Sequence, residues 1–209
     1  MKTTRNKGEP SMRICIFGAS GATIDATYLK ETEALGEALA KRGHSLIFGG
    51  GANGLMGAAA RGFTAGGGRI VGVAPRFFDL PGVLYPHCDE FVWPDSMRDR
   101  KKYMEDNADA FIAAPGGIGT YEELLEVLTL KQLARHNKPI VLFNINGFFN
   151  KLLALLEEDA AAGFVRAQTL TLLSTANTVD EAIFHAENDE TDLAAIRFYD
   201  PKKTPENQP

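Results

Sequence analysis

A chain of 209 residues with 44% apolar and 23% charged residues can close a sizeable core as one domain. Its net charge of −5 argues against a broad basic surface for nucleic acid, and no apolar run reaches bilayer length, so neither nucleic acid nor a membrane is an expected partner. Two cysteines, Cys15 and Cys88, make neither a disulfide framework nor a metal quartet, and the polar N-terminus lacks the apolar centre of a signal peptide, so the expected compartment is a reduced cytoplasm.

Residues 1–11 read as a disordered leader. Arg13 to Phe17 reads as a first strand, followed by the glycine turn Gly18-Ala19-Ser20-Gly21 and a helix from about Asp25 to Arg42 that Gly43 ends. Ser45 to Phe48 is a second strand. The run Gly49-Gly50-Gly51-Ala52-Asn53-Gly54 then opens an alanine-rich helix to about Ala65, and Arg69 to Val73 is a third strand. Residues 74–88 carry three prolines and read as loop. Glu90 to Val92 is a short strand, and Asp95 or Ser96 caps a charged helix to about Asn107. Ala110 to Ala113 is a buried strand, and a leucine-rich helix follows from roughly Thr120 to Arg135. Pro139 to Phe143, Phe148 to Ala162, Thr169 to Leu173 and Val179 to His185 complete the series as strand, helix, strand and helix, and residues 188–209 read as a flexible tail. This alternation over residues 12–187 predicts a single α/β domain, a Rossmann-like, doubly wound parallel sheet. Three glycine turns then fall at strand C-terminal ends, the edge where ligands bind in an open parallel sheet.

The segment Ala114-Pro115-Gly116-Gly117-Ile118-Gly119-Thr120-Tyr121-Glu122-Glu123 organises the rest. Strand, glycine turn and helix start together suit an anion, because bare glycine backbone and a helix N-terminus both present N–H groups. Glu122 and Glu123, read in the first helical turn, add carboxylates beside that anion site. The same residues fit a capping box, with Thr120 as N-cap and Glu123 reaching back to it, and this segment alone does not choose between cap and catalyst. Gly49-x-Gly51-x-x-Gly54 matches dinucleotide spacing, but no acidic residue follows about twenty positions on, which disfavours NAD. The remaining readings are a smaller nucleotide's cradle, placed first, and close packing of helix on sheet. Arg98, Arg100, Lys101 and Lys102 spread around their helix, which by itself reads as a solvated face. The four histidines have no metal-ligand spacing, and no metal or other cofactor is expected.

Three ordered motifs together resemble one family. They are Gly49-Gly50-Gly51-x-x-Gly54-Leu55-Met56-Gly57, Met97-x-x-Arg100-Lys101-x-x-Met104 and Pro115-Gly116-Gly117-x-Gly119-Thr120-x-x-Glu123. The family is LONELY GUY (LOG), the cytokinin riboside 5′-monophosphate phosphoribohydrolases, with older labels of lysine decarboxylase type. The resemblance spans roughly residues 12 to 186. It implies hydrolysis of the N-glycosidic bond of an N6-modified AMP, and of AMP as a second substrate, giving free base and ribose 5-phosphate. By position it implies Arg100 and Glu123 as the catalytic pair. It also implies substrate contacts at Ser20, Gly50, Gly51, Met97, Lys101, Pro115, Gly116, Gly117, Ile118, Gly119, Thr120, Glu122 and Thr129. A homodimer with both subunits near each site is implied as well. Two positions depart from the family's pattern: Arg98 stands where a histidine is common, and Gly82 where a glutamate often touches substrate. The rivals are a non-catalytic nucleotide or cofactor carrier on the same fold, and a pyridoxal-phosphate decarboxylase, which would need a buried Schiff-base lysine where Lys101 and Lys131 read as exposed.

Overall fold

A computed structural model describes residues 11–188 and Thr191. Of the expected leader only Ser11 falls among these, and nearly all of the expected tail from 188 onward lies outside them. Seven parallel strands stand in the order β4-β3-β2-β1-β5-β6-β7. They are β1 (Arg13–Phe17), β2 (Ser45–Phe48), β3 (Ile70–Val73), β4 (Glu90–Val92), β5 (Ala110–Ala113), β6 (Ile140–Phe143) and β7 (Ser174–Ala176). Between and after them run α1 (Ala26–Lys41), α2 (Gly54–Gly66), α3 (Met97–Asn107), α4 (Ile118–Gln132), α5 (Asn150–Ala161) and α6 (Val179–Glu187).

The strands are apolar on both faces because helices cover both. Ile14 and Ile16 of β1 join the core under α1, α2 and α6, with Leu35, Leu39, Phe63 and Ile183. Cys15 and Phe17, one residue out of phase, join the opposite core under α3 and α4, with Met104, Leu124 and Val127. Strand order reverses about β1, whose partners are β2 on one side and β5 on the other. The turns after β1 and β5 therefore open a crevice at the C-terminal edge of the sheet, the usual ligand position in such folds.

One expected strand is corrected. Residues Ala167–Leu172 form a 3-10 helix, and the final strand is Ser174–Ala176, paired with Val141 to Phe143. Thr169 and Leu172 both bury, a spacing of three that suits a tight helical turn rather than alternation across a pleat.

Glycine lets α1 and α2 approach backbone to backbone. A Cβ at Gly62 would stand 2.1 Å from the Glu33 carbonyl oxygen, and one at Gly36 would stand 2.4 Å from that of Ala59. The better helix propensity of alanine, about 1 kcal/mol, is smaller than the cost of forcing two packed backbones apart. Gly62→Ala is therefore expected to lower stability by about 1–3 kcal/mol, read as a reduced denaturation midpoint at unchanged slope.

Candidate active site

The crevice is a cleft of about 650 Å³ between the β1 turn, the β2–α2 turn, the N-terminal end of α4 and the loop after β3. The two central turns are tied together: Ala19 N–H donates to the Pro115 carbonyl at 3.1 Å and Ala114 N–H to that of Phe17 at 2.9 Å.

The two glycine-turn helices differ at their N-termini. At α2, the Ala19 carbonyl accepts from the N–H groups of Leu55 (2.8 Å) and Met56 (3.4 Å), so a protein oxygen already fills the anion position. Gly54 and Gly57 are packing glycines, since their Cβ atoms would lie 2.3 Å from the Ala19 oxygen and 1.9 Å from that of Ala52. Packing therefore accounts for Gly54 and Gly57, while Gly49 and Gly51 of the same turn line the cleft. At α4, Gly117 is the N-cap in extended conformation and makes no side-chain cap bond. Tyr121 N–H is the first to return to a carbonyl, that of Gly117 at 3.0 Å, and no protein acceptor is seen among the described residues for Ile118, Gly119 or Thr120 N–H. This end is open, glycine-lined and exposed from Gly117 to Gly119, as an anion site requires.

Because α4 starts at Ile118, Thr120 is not its N-cap and the capping-box reading fails. Thr120 lies in the first turn, nearly buried, with its hydroxyl where a Cβ at Gly116 would fall, 2.0 Å away. Glu122 and Glu123 move to the second turn, and the first turn holds no acid.

The two glutamates then diverge. Glu123 faces the cleft, with 11% of its side chain exposed, and its Oε1 accepts from Arg100 Nη1 at 3.0 Å. Burial pushes its carboxyl above the usual range, and the Arg100 guanidinium opposes that rise. Arg100 is itself buried, and its Nε donates to the Val73 carbonyl at 3.1 Å. The solvated-face reading of this helix is thus wrong for Arg100, which α3 turns inward at the C-terminal end of β3. Its neighbour Lys101 turns outward and pairs with both Glu122 and Glu126, the latter at 2.6 Å. Consecutive residues of α3 thereby grip consecutive residues of α4, one pair in the cleft and one outside it.

Of the expected contacts, Ser20, Gly51, Met97, Gly117, Ile118, Gly119 and Thr120 line the cleft with Arg100 and Glu123. Gly50, Lys101, Pro115, Gly116, Glu122 and Thr129 do not. Gly50 takes φ +78° and faces Phe91, and Pro115 and Gly116 shape the turn from behind. Thr129 is exposed almost three helical turns along α4 and donates to the Leu125 carbonyl. The expected contacts did not include Gly18, Ala19, Gly21, Gly49, Asn53, Met56, Phe78, Val83 and Leu84, which complete the wall. The last three come from the proline-bearing loop, pinned by Ala52 N–H on the Val83 carbonyl and Tyr85 N–H on that of Gly50. No local pattern announces that antiparallel bridge between Gly51 and Leu84, 33 residues apart.

A family model described as possible lysine decarboxylase matches residues 56–185. A rice (Oryza sativa subsp. japonica) protein called probable cytokinin riboside 5′-monophosphate phosphoribohydrolase LOGL1 is 39% identical over 171 residues, covering 82% of this chain and 77% of that one. The chain belongs to the LOG family. The Arabidopsis thaliana relative called cytokinin riboside 5′-monophosphate phosphoribohydrolase LOG2 is 37% identical, over 78% of this chain and 77% of that one. Among solved structures, the molybdenum cofactor carrier protein of Chlamydomonas reinhardtii superposes with a TM-score of 0.64 at 23% identity, over 84% of this chain and 95% of that one, a likeness of fold. Within this LOG chain, Lys131 is buried, not exposed as expected, and neither it nor Lys101 lines the cleft.

Outside the cleft, Glu105 on α3 lies partly buried beside Glu126 and near Lys101. Burial first, and Glu126 second, push its carboxyl up to about 7. A raised carboxyl favours the protonated folded state, so its stabilising contribution is full below about 4.5 and is lost as pH rises through about 7. Glu105→Gln keeps the neutral form. Its melting temperature should match the parent's near pH 4, exceed it increasingly between pH 4.5 and 7, and keep a constant excess above that.

Proposed function

We propose that this LOG protein hydrolyses the N-glycosidic bond of N6-modified adenosine 5′-monophosphates, with AMP as a second substrate, releasing free base and ribose 5-phosphate. The observation that carries this is the cleft-facing Arg100–Glu123 pair one helical turn beyond an open α4 N-terminus. The free N–H groups of Ile118, Gly119 and Thr120 bind the 5′-phosphate, which fixes the sugar over the second turn of α4. Breaking the C1′–N9 bond develops positive charge on the ribose. The Glu123 carboxylate stabilises that charge or activates the attacking water, and the proton from water passes to the departing base or to solvent. Arg100 holds Glu123 ionised against its burial and orients it. Glu122, engaged with Lys101, has no direct part. No cofactor takes part in this scheme.

The active unit is a homodimer with its sites near the interface. Ile118, Glu122, Leu125 and Thr129 form an exposed stripe along α4 beside the cleft mouth, and this supports the assignment. Thr129 then reaches substrate from the partner subunit. A reduced cytoplasm suits the free thiols of Cys15 and Cys88. A carrier function would be served by the same fold, but an acid buried against the sugar position would repel a bound anion without contributing to retention. The decarboxylase reading lacks a lysine in the cleft among the described residues.

Incubation with isopentenyl-AMP should release isopentenyladenine and ribose 5-phosphate, read by chromatography. Glu123→Gln should reduce turnover by about 10²–10⁴-fold with the melting temperature nearly unchanged. Recovery of the nucleotide bound and intact would support a carrier instead. The acid limb of kcat/KM should lie above the usual glutamate range, because the required carboxylate is lost as pH falls through its raised value.

A further inference from the structure

Gly49 follows β2 and begins the first glycine motif, yet the backbone does not require glycine there. Gly50 and Gly54 hold left-handed φ values of +78° and +60°, whereas Gly49 does not. Nor does main chain crowd it. The nearest atoms to a Cβ at position 49 belong to one side chain: Arg100 Nη2 at 1.8 Å and Cζ at 2.9 Å, with Met56 Sδ next at 3.3 Å. Arg100 Nε is engaged by Val73 and Nη1 by Glu123, while Nη2 lies over Gly49 with no protein acceptor among the described residues. Gly49 and Arg100 both line the cleft.

We propose that Gly49 is a positioning residue for the reaction: its bare Cα leaves the space that the Nη2 end of the Arg100 guanidinium occupies, with the guanidinium aimed at Glu123 on one side and at the substrate on the other. This rests on the assignment of Arg100 and Glu123 as the catalytic pair. A methyl group at 49 occupies the place of Nη2. The obstructed atom is the end of a flexible side chain, so the chain folds while the guanidinium moves. A misplacement of about 1 Å in a catalytic constellation costs on the order of 10²-fold in rate. The first glycine of this motif thus serves a cation of the protein, while the anion of the substrate is met at α4.

The test is a cycle of four proteins: parent, Gly49→Ala, Arg100→Lys and the double variant. Lysine has no atom at the Nη2 position, so it leaves room for the methyl group. The expected result is a kcat about 10²-fold lower in Gly49→Ala than in the parent with KM little changed, and no further loss, within about twofold, when the same change is made in Arg100→Lys. Equal losses in both backgrounds, or no loss in either, would overturn the proposal. If Gly49→Ala does not fold, folding of the double variant supports the clash and its failure overturns it. If the parent releases no base from isopentenyl-AMP, the catalytic assignment falls separately. Titration of Glu123 by carbon-13 NMR then decides the role of Gly49: the Glu123 midpoint should rise on Gly49→Ala in the parent and stay put in Arg100→Lys, and an unmoved midpoint in both refutes it.

Discussion

The buried ion pair between Arg100 and Glu123 is the constraint on which the rest of the molecule turns. Taking both groups out of water is costly, and replacing such a pair with apolar side chains is often neutral or stabilising. Its presence is therefore not explained by stability. The chain offsets part of the cost with one further bond, from Arg100 Nε to the Val73 carbonyl at the end of β3. That bond ties the guanidinium to the sheet rather than to a mobile side chain. The outcome is a nearly buried acid held at the wall of the cleft, with a cation keeping its charged form accessible.

Around that pair the two helices behave as one clamp. Arg100 and Lys101 are adjacent on α3, and Glu122 and Glu123 are adjacent on α4. A step of about 100° per residue sends one partner of each couple inward and the other outward. The inner contact faces the site and the outer contact fastens the helices across their surface. Four charges that look alike in the chain thus separate into a pair at the cleft and a brace outside it. Glu105 and Glu126 add to the outer group an excess of acid that Lys101 only partly balances.

The glycines also divide by use. At α2 they allow contact: Ala19 oxygen presses into the helix start, and α1 lies against α2 with main chain touching main chain. At α4 they leave space: Gly117 and Gly119 carry no Cβ beside the exposed N–H groups at the start of the helix. The same residue type gives a closed helix end in one place and an open one in the other. A solved carrier protein shares the scaffold at 23% identity, a likeness of fold.

Periodicity determined most of the fold from the sequence alone. Apolar runs four or five residues long between amphipathic helices require a parallel sheet covered on both faces, and the strands from Arg13 to Phe143 fall close to where that pattern puts them. Local signals were weaker where helix and strand compete over few residues, which is why the stretch from Thr169 reads as strand while it winds as a 3-10 helix. The motifs also singled out Arg100 and Glu123. What the chain could not state was which way each charge points. Burial of Arg100, the outward turn of Lys101 and Glu122, and the plugging of α2 by Ala19 depend on contacts between residues 20 to 40 positions apart. Such contacts exist only once the sheet has brought the turns of β1, β2, β3 and β5 to one edge.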